Sequence, residues 1–176
     1  LAKTVACKKL NFSHFYTLTL ITIVIYCALR ENFDQPGNFM AIQICVPKEV
    51  RKGEQRVALV PDIVNRLVKQ GLNVNIESAA GELIGYTDAD YENANIVANS
   101  SELLGSADIT LTVNPATSGQ IAQLKEGSIL IGFLNPHSDL DRFNLLKDKN
   151  ISAFSIELIP RISRAQAMDA LSSQAS

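Results

Sequence analysis

Apolar residues along this chain alternate between short β-rich runs and segments with the spacing of a helix. Strands are predicted at residues 42–46, 72–76, 96–97, 108–113, 128–133 and 151–156. Helices are predicted at residues 61–70, after Thr87, after Ser100, at residues 120–125 and at residues 138–149. Regular alternation of this kind is typical of βαβ units. The pattern therefore predicts an α/β domain with a largely parallel sheet and helices on both faces.

Residues with special backbone chemistry mark several boundaries. Pro61 occupies the start of the first helix, where its missing N–H removes no hydrogen bond, and Gly71 ends that helix. Thr87 and Asp90 have the spacing of a capping box. Residues 81–85 (GELIG) are interpreted as a turn, because they lack both the P-loop lysine and the GxGxxG spacing of phosphate loops.

Residues 1–39 differ in character from the rest of the chain. Their apolar run, Phe15–Leu29, is shorter than the roughly 18 residues expected of a spanning helix, and no small-x-small cleavage site follows it. Met40 directly precedes the first predicted strand. We expect residues 1–39 to be translated upstream sequence and residues 40–176 to form the α/β domain. A signal or membrane anchor and a native strand are the alternatives for the first segment.

Charge and residue counts exclude several classes of function. The chain has 16 basic and 18 acidic residues and no clustered basic face, which argues against nucleic acid as a partner. Cys7, Cys27 and Cys45 are too few and too widely spaced for a disulfide framework or a zinc site, which favours a reducing compartment. With only His14 and His137, no HExxH pair or Ser/His/Asp triad is expected, and no metal site is predicted.

A charged loop, PKEVRKGEQR at residues 47–56, directly follows the first predicted strand. Open parallel sheets place their ligand crevice at this end of the strands. Four cations and two carboxylates could hold an anionic or polar ligand there; the alternative is a solvated loop with weak surface ion pairs. Arg56 is a possible crevice residue, because it precedes the apolar run 57–60, whose backbone would hold its side chain in one orientation.

The tail of the chain carries a second candidate site. Ser163 and Gln166 fit a capping box, so a helix is predicted to follow. At helical spacing Gln166, Asp169 and Ser172 share one face. Their amide, carboxylate and hydroxyl groups suit hydrogen bonding to a carboxamide or a ribose. The alternative is a simple polar outer face.

A third candidate is Asn135-Pro136-His137, at the end of a predicted strand. The histidine there could act as an acid, a base or a hydrogen-bond donor. The alternative is an exposed imidazole without a partner, since catalytic use needs a positioned substrate and usually an orienting group.

Two stretches together point to a family: IQICVPKEVRKGEQRVALVPDIVNRLVKQG at 42–71 and PRISRAQAMDALSSQ at 160–174. They resemble the alanine dehydrogenase and NAD(P) transhydrogenase family, and the similarity extends over residues 40–176. The resemblance implies a Rossmann-like N-terminal domain. It also implies that the Gly-rich NAD-binding unit begins soon after Ser176, so the chain alone is expected to be inactive and to bind NAD weakly or not at all.

The two branches of this family differ at residues that bind substrate. Alanine dehydrogenases hold pyruvate with an arginine in the RVAL segment, a lysine after a later strand and a histidine at a strand end. This chain retains the arginine as Arg56 but has Asn114 and Asn135 at the other two positions. His137 is offset by two residues, which re-aims a side chain at a strand end, so it does not replace the histidine. Alanine dehydrogenation is therefore disfavoured.

Resemblance to the transhydrogenase branch implies roles for residues in the tail. Arg161, Gln166, Asp169 and Ser172 would hold the nicotinamide end of NAD(H). The implied reaction is hydride transfer between NAD(H) and NADP(H), coupled to proton translocation across a membrane. The NADP(H) site and the proton channel would lie in partner components, and the NAD(H)-binding component would be a homodimer. Its expected place is peripheral, on the cytoplasmic face of the bacterial inner membrane.

Two alternatives to the transhydrogenase hypothesis stay open. One is a fragment of an alanine-dehydrogenase-like, NAD-dependent amino-acid dehydrogenase. The other is a non-catalytic α/β binding module anchored by residues 15–29.

Overall fold

The computed structural model describes residues 42–159 of the 176-residue chain. Within them, six parallel strands form one sheet in the order β3-β2-β1-β4-β5-β6. The strands are β1 Gln43–Val46, β2 Asn73–Glu77, β3 Asn95–Val97, β4 Ile109–Leu111, β5 Ile129–Gly132 and β6 Ser152–Ser155. The predicted α/β class with a largely parallel sheet is confirmed.

Four α-helices connect these strands, together with short 3₁₀ turns. They are α1 Pro61–Lys69, α2 Ser100–Ser106, α3 Ser118–Gln123 and α4 Leu140–Asp148, with 3₁₀ turns at Glu82–Ile84, Asp88–Asp90 and Ile156–Leu158. The chain moves outward from β1 to β3, then returns and moves the other way from β4 to β6. Because crossovers between parallel strands are right-handed, this reversal puts α1 on one face of the sheet and α2, α3 and α4 on the other.

The core lies where these helices meet the sheet. One buried cluster joins Leu104 of α2, Ile121 of α3, Leu130 of β5 and Leu146 of α4. On β2 the apolar residues Val74 and Ile76 alternate with Asn75, and all three are buried. A central parallel strand is covered on both faces, so both sets of side chains are buried.

The predicted boundary signals act as expected, with shorter elements. Pro61 begins α1, and Gly71 follows its end with a φ of 87°. Both halves of the Thr87/Asp90 capping box form, but the box begins only a 3₁₀ turn. GELIG is a turn, closed by Gly85 at a φ of 90°.

Membrane and boundary predictions fall mostly outside the described residues. No helix within residues 42–159 is long and apolar enough to cross a bilayer. The apolar run 15–29 and the helix predicted after Ser163 lie outside that range. The division between residues 1–39 and 40–176 stays a prediction.

Candidate functional site

A crevice of about 350 Å³ opens at the carboxyl ends of β1 and β4. These neighbouring strands are where the strand order reverses, the position at which open α/β sheets bind ligands. Residues 47–51 after β1 line one side, and Asn114 after β4 lies opposite. Asn135 and Ser138, which follow β5, and Arg142 of α4 also line the crevice.

Glu49 ties the loop after β1 to the end of β4. Its Oε1 accepts a hydrogen bond from the backbone N–H of Val113 at 2.6 Å. Its Oε2 accepts from the backbone N–H of Asn114 at 3.2 Å and from the Asn114 side-chain amide at 3.0 Å. The backbone N–H groups of Val113 and Asn114 thus bond to a side chain. Regular strand structure ends at Leu111, although the apolar pattern predicts a strand to 113 and the N–H of Thr112 still bonds to Ile131.

Asn114 is the centre of a side-chain network. It is buried, with 8% of its surface exposed. Its Nδ2 donates to Glu49 and, at 2.8 Å, to Glu54 Oε2, while its Oδ1 accepts from Arg51 Nη1 at 3.1 Å. Since an amide nitrogen has two hydrogens, both donors are used within the protein. Asn114 therefore orients neighbouring side chains and has no donor left for a ligand.

Glu54 and Arg56 form a two-point ion pair beside this network. Arg56 donates from Nε to Glu54 Oε1 and from Nη2 to Oε2, both at 2.7 Å. This hydrogen-bonded guanidinium is the main cause that holds the pKa of the Glu54 carboxyl well below its usual range, and the same bond raises the pKa of Arg56. The Glu54 side chain is only 10% exposed, against 51% for Arg56.

Arg56 donates two hydrogen bonds to Glu54 and is not among the residues that line the crevice. The arginine of this loop that lines it is Arg51, five residues earlier. Arg56 is linked to the crevice through Glu54, which accepts a hydrogen bond from Asn114. Direct contact between Arg56 and a ligand stays a prediction.

Within residues 42–159 the crevice has no features that typically hold a dinucleotide's phosphates. The loop 47–56 has a single glycine, Gly53, whereas pyrophosphate binding uses a Gly-rich turn. Glu77, at the end of β2, stands where such sheets place the acid that binds a ribose. Its Oε2 instead accepts from the backbone N–H of Lys48 at 2.8 Å and from the Ser100 hydroxyl at 3.2 Å.

A close approach between β4 and β5 shapes the floor of the crevice. A Cβ on Gly132 would lie 2.4 Å from the Thr112 carbonyl oxygen and 2.6 Å from its Oγ1. Only glycine fits without moving a strand. The Thr112 Oγ1 and the Nε of Arg142 are buried and have no hydrogen-bond partner within the described residues.

The loop after β5 places its asparagine and its histidine differently. Asn135 lines the crevice with a φ of 48°, and its N–H and that of Leu134 donate to the carboxylate of Glu157. His137 is exposed and does not line the crevice. This arrangement fits the alternative of an exposed loop imidazole.

The predicted nicotinamide site falls in the tail of the chain. Arg161, Gln166, Asp169 and Ser172 lie outside the described residues, so their nicotinamide role stays a prediction.

Burial raises the pKa of the Cys45 thiol, which packs against Leu103. In the part of the chain that the structure describes, no group of His, Cys, Asp and Glu is arranged to hold a metal ion.

Known proteins are similar to this chain in sequence and in fold. Residues 45–176 match the family described as "Alanine dehydrogenase/PNT, N-terminal domain". The NAD(P) transhydrogenase subunit alpha of Cereibacter sphaeroides is 36% identical over 136 residues, which cover 76% of this chain and 26% of that protein. The chain therefore spans about a quarter of the length of that relative.

Solved structures show the same relationship. The transhydrogenase of Sinorhizobium meliloti superposes with a TM-score of 0.72 at 30% identity, covering 76% of this chain and 40% of that one. An L-alanine dehydrogenase superposes with a TM-score of 0.66 at 26% identity, covering 70% of this chain and 34% of the other.

Proposed function

Because this chain belongs to the family of alanine dehydrogenase and PNT N-terminal domains, we propose that it is part of an NAD(P) transhydrogenase. In that role it contributes to the site where hydride passes between NAD(H) and NADP(H). The observation that carries this proposal is the state of Asn114. Both of its amide hydrogens bond to Glu49 and Glu54, so this position, where alanine dehydrogenases carry a pyruvate-binding lysine, offers no donor to a pyruvate carboxylate.

The crevice suits one end of a dinucleotide. Ligand pockets typically have volumes of roughly 300–1,000 Å³, so about 350 Å³ accommodates a nicotinamide and its ribose better than a whole dinucleotide. Bound NAD(H) would supply the hydride. Arg161, Gln166, Asp169 and Ser172 would hold its nicotinamide end, and the pyrophosphate would bind in a Gly-rich unit outside this domain.

The remaining parts of the proposal concern the assembly. Proton translocation and the NADP(H) site are assigned to membrane and NADP(H)-binding partner components. The NAD(H)-binding component would be a homodimer, peripheral on the cytoplasmic face of a bacterial inner membrane. The family membership and the similarity to transhydrogenase α subunits support these assignments.

The second candidate function is that of an alanine-dehydrogenase-like enzyme. The retained Arg56 and the superposition on an L-alanine dehydrogenase favour it. The asparagines at 114 and 135 count against it.

One experiment separates these functions. The complete product of the gene, assembled with its partner components, is assayed for NADH-dependent reduction of NADP⁺ and for alanine-dependent reduction of NAD⁺. We expect the first activity only. Alanine-dependent reduction alone would support the second candidate, and absence of both activities from an intact assembly would overturn both. The coding DNA after residue 176 should encode a Gly-rich strand-turn-helix.

A further inference from the structure

Arg51 is a cation of the crevice that keeps most of its hydrogen-bonding capacity open. A guanidinium has five N–H donors. Within residues 42–159, Arg51 uses one of them, the 3.1 Å bond from Nη1 to Asn114 Oδ1. Its side chain lies on an exposed part of the loop that lines the crevice. Arg56 differs, because two of its donors are committed to Glu54.

The position of Arg51 is set by groups rooted in the sheet. Its partner Asn114 is buried and is held by Glu49, whose carboxylate also binds the backbone of Val113. The Arg51 guanidinium is thereby held near the end of β4 by its bond to Asn114, and Asn114 is held in turn by Glu49. A donor held in place before binding loses less conformational freedom when a ligand arrives.

The surroundings indicate which part of a ligand Arg51 meets. The loop after β1 has no Gly-rich turn for pyrophosphate, and Glu77 is engaged with Lys48 and Ser100. The loop after β1 and the end of β2 therefore have no groups arranged to bind the phosphates or the adenosine. What fits is a small group with an acceptor oxygen.

We infer that Arg51 binds an acceptor oxygen of the nicotinamide-ribose end of NAD(H), and that Asn114 is the positioning residue that aims it. This inference rests on the proposed function and deepens it. The contact would be a hydrogen bond from a charged donor to the carboxamide oxygen or to a ribose hydroxyl.

Binding measurements on the complete gene product test the role of Arg51. Two probes are used, NADH and ADP, which keeps the pyrophosphate but lacks both the nicotinamide and its ribose. For Arg51→Gln we expect about tenfold weaker binding of NADH, the size of a lost hydrogen bond to a charged donor, and unchanged binding of ADP. Lys52→Gln, an exposed neighbour in the same loop that does not line the crevice, should leave both affinities unchanged.

Each other result has a defined meaning. Equal losses for both probes would place Arg51 on the phosphates and overturn the assignment, as would unchanged NADH binding. If the unmodified protein binds ADP but carries out no hydride transfer with NADH, the proposed function fails first and the assignment of Arg51 falls with it.

A double-mutant cycle tests the positioning role of Asn114. If Asn114 acts through Arg51, Asn114→Ala weakens NADH binding, and adding it to Arg51→Gln causes no further loss. Losses that multiply would show an independent role and overturn the inference. Thermal unfolding checks that each variant is folded. Should Asn114→Ala fail to fold, Glu49→Gln replaces it in the cycle, because it disturbs the same attachment while keeping the shape of the side chain.

Discussion

Individual side chains in this domain are fixed by partners far away in the sequence. Glu49 meets residues 113 and 114, and Glu54 meets Asn114 across 60 residues of chain. The sequence predicted a ligand crevice beside the loop after β1; residues 47–51 line a crevice there, and its ligand stays a prediction. The sequence could not identify Glu49 or Arg51, because their roles depend on a partner strand whose distance along the chain leaves no local pattern.

The Glu54 carboxylate should make stability depend on pH. Its folded pKa is lower than its unfolded pKa, so its stabilisation is complete above the unfolded value, about 4.3, and is lost as pH falls below it. Glu54→Gln should therefore lower the free energy of unfolding at pH 7 by about 1–2 kcal/mol and by less at pH 3. Urea unfolding at both pH values measures this.

The exposed Glu92 provides the control for that prediction, since Glu92→Gln removes the same charge without removing a hydrogen bond in the described residues. An equal loss at pH 3 and pH 7 for Glu54→Gln would show that the carboxylate charge is not the cause.

Two glycines with opposite surroundings give a second prediction. Gly132→Ala places a methyl group 2.4 Å from the Thr112 carbonyl oxygen and should destabilise the domain by about 1–3 kcal/mol. Gly105 lies inside α2, where the nearest atom to an added Cβ is 3.8 Å away. Gly105→Ala should raise stability, by up to about 1 kcal/mol, because alanine favours helix. Chemical denaturation of both variants decides; loss of stability in both would contradict the packing argument.

At the scale of elements, the shortest α-helix within residues 42–159, α3, is bonded at its carboxyl end by the residue that follows α4. α3 has only six residues, and the carbonyl groups at its end need donors. Lys149, which follows α4, donates from Nζ to the carbonyl oxygens of Ile121, Ala122 and Leu124 at 3.2, 2.5 and 2.8 Å. Its charge also suits the negative end of the helix dipole.

Replacing this lysine should loosen α3 before the rest of the sheet. Lys149→Met is expected to lower stability by about 1–2 kcal/mol and to speed amide hydrogen exchange in residues 118–124. Lys147→Met, an exposed residue in the last turn of α4, is the matched control. Equal exchange in the two variants would show that the three carbonyl contacts do not stabilise α3.

Elements were predictable where the signal is local. The proline and glycine that bound α1 and the buried runs of β1 and β5 are each encoded within a few residues. Lengths were less predictable. Of the predicted strand 108–113 only 109–111 is regular, and side chains take part in the bonding at both ends: Asp108 accepts from the backbone of Gln43, and Glu49 accepts from that of Val113.

At the scale of the whole molecule, the order of strands determines where the site lies. The alternating pattern predicted a parallel sheet but could not place β4 beside β1, because the same pattern fits several orders. The observed order brings residues 43–46 next to residues 109–111. That neighbourhood creates the crevice and joins the loop 47–56 to Asn114.

The bond between Glu49 and Asn114 also sets an order in time. During synthesis β1, α1, β2 and β3 emerge before β4 exists, so Glu49 and Arg51 have no partner at residue 114 until that residue has left the ribosome. Pairing of distant strands is slow compared with local helix formation. Arg51 consequently reaches its final position only after β4 has formed beside β1, so one side of the crevice is completed by a strand made more than 60 residues later.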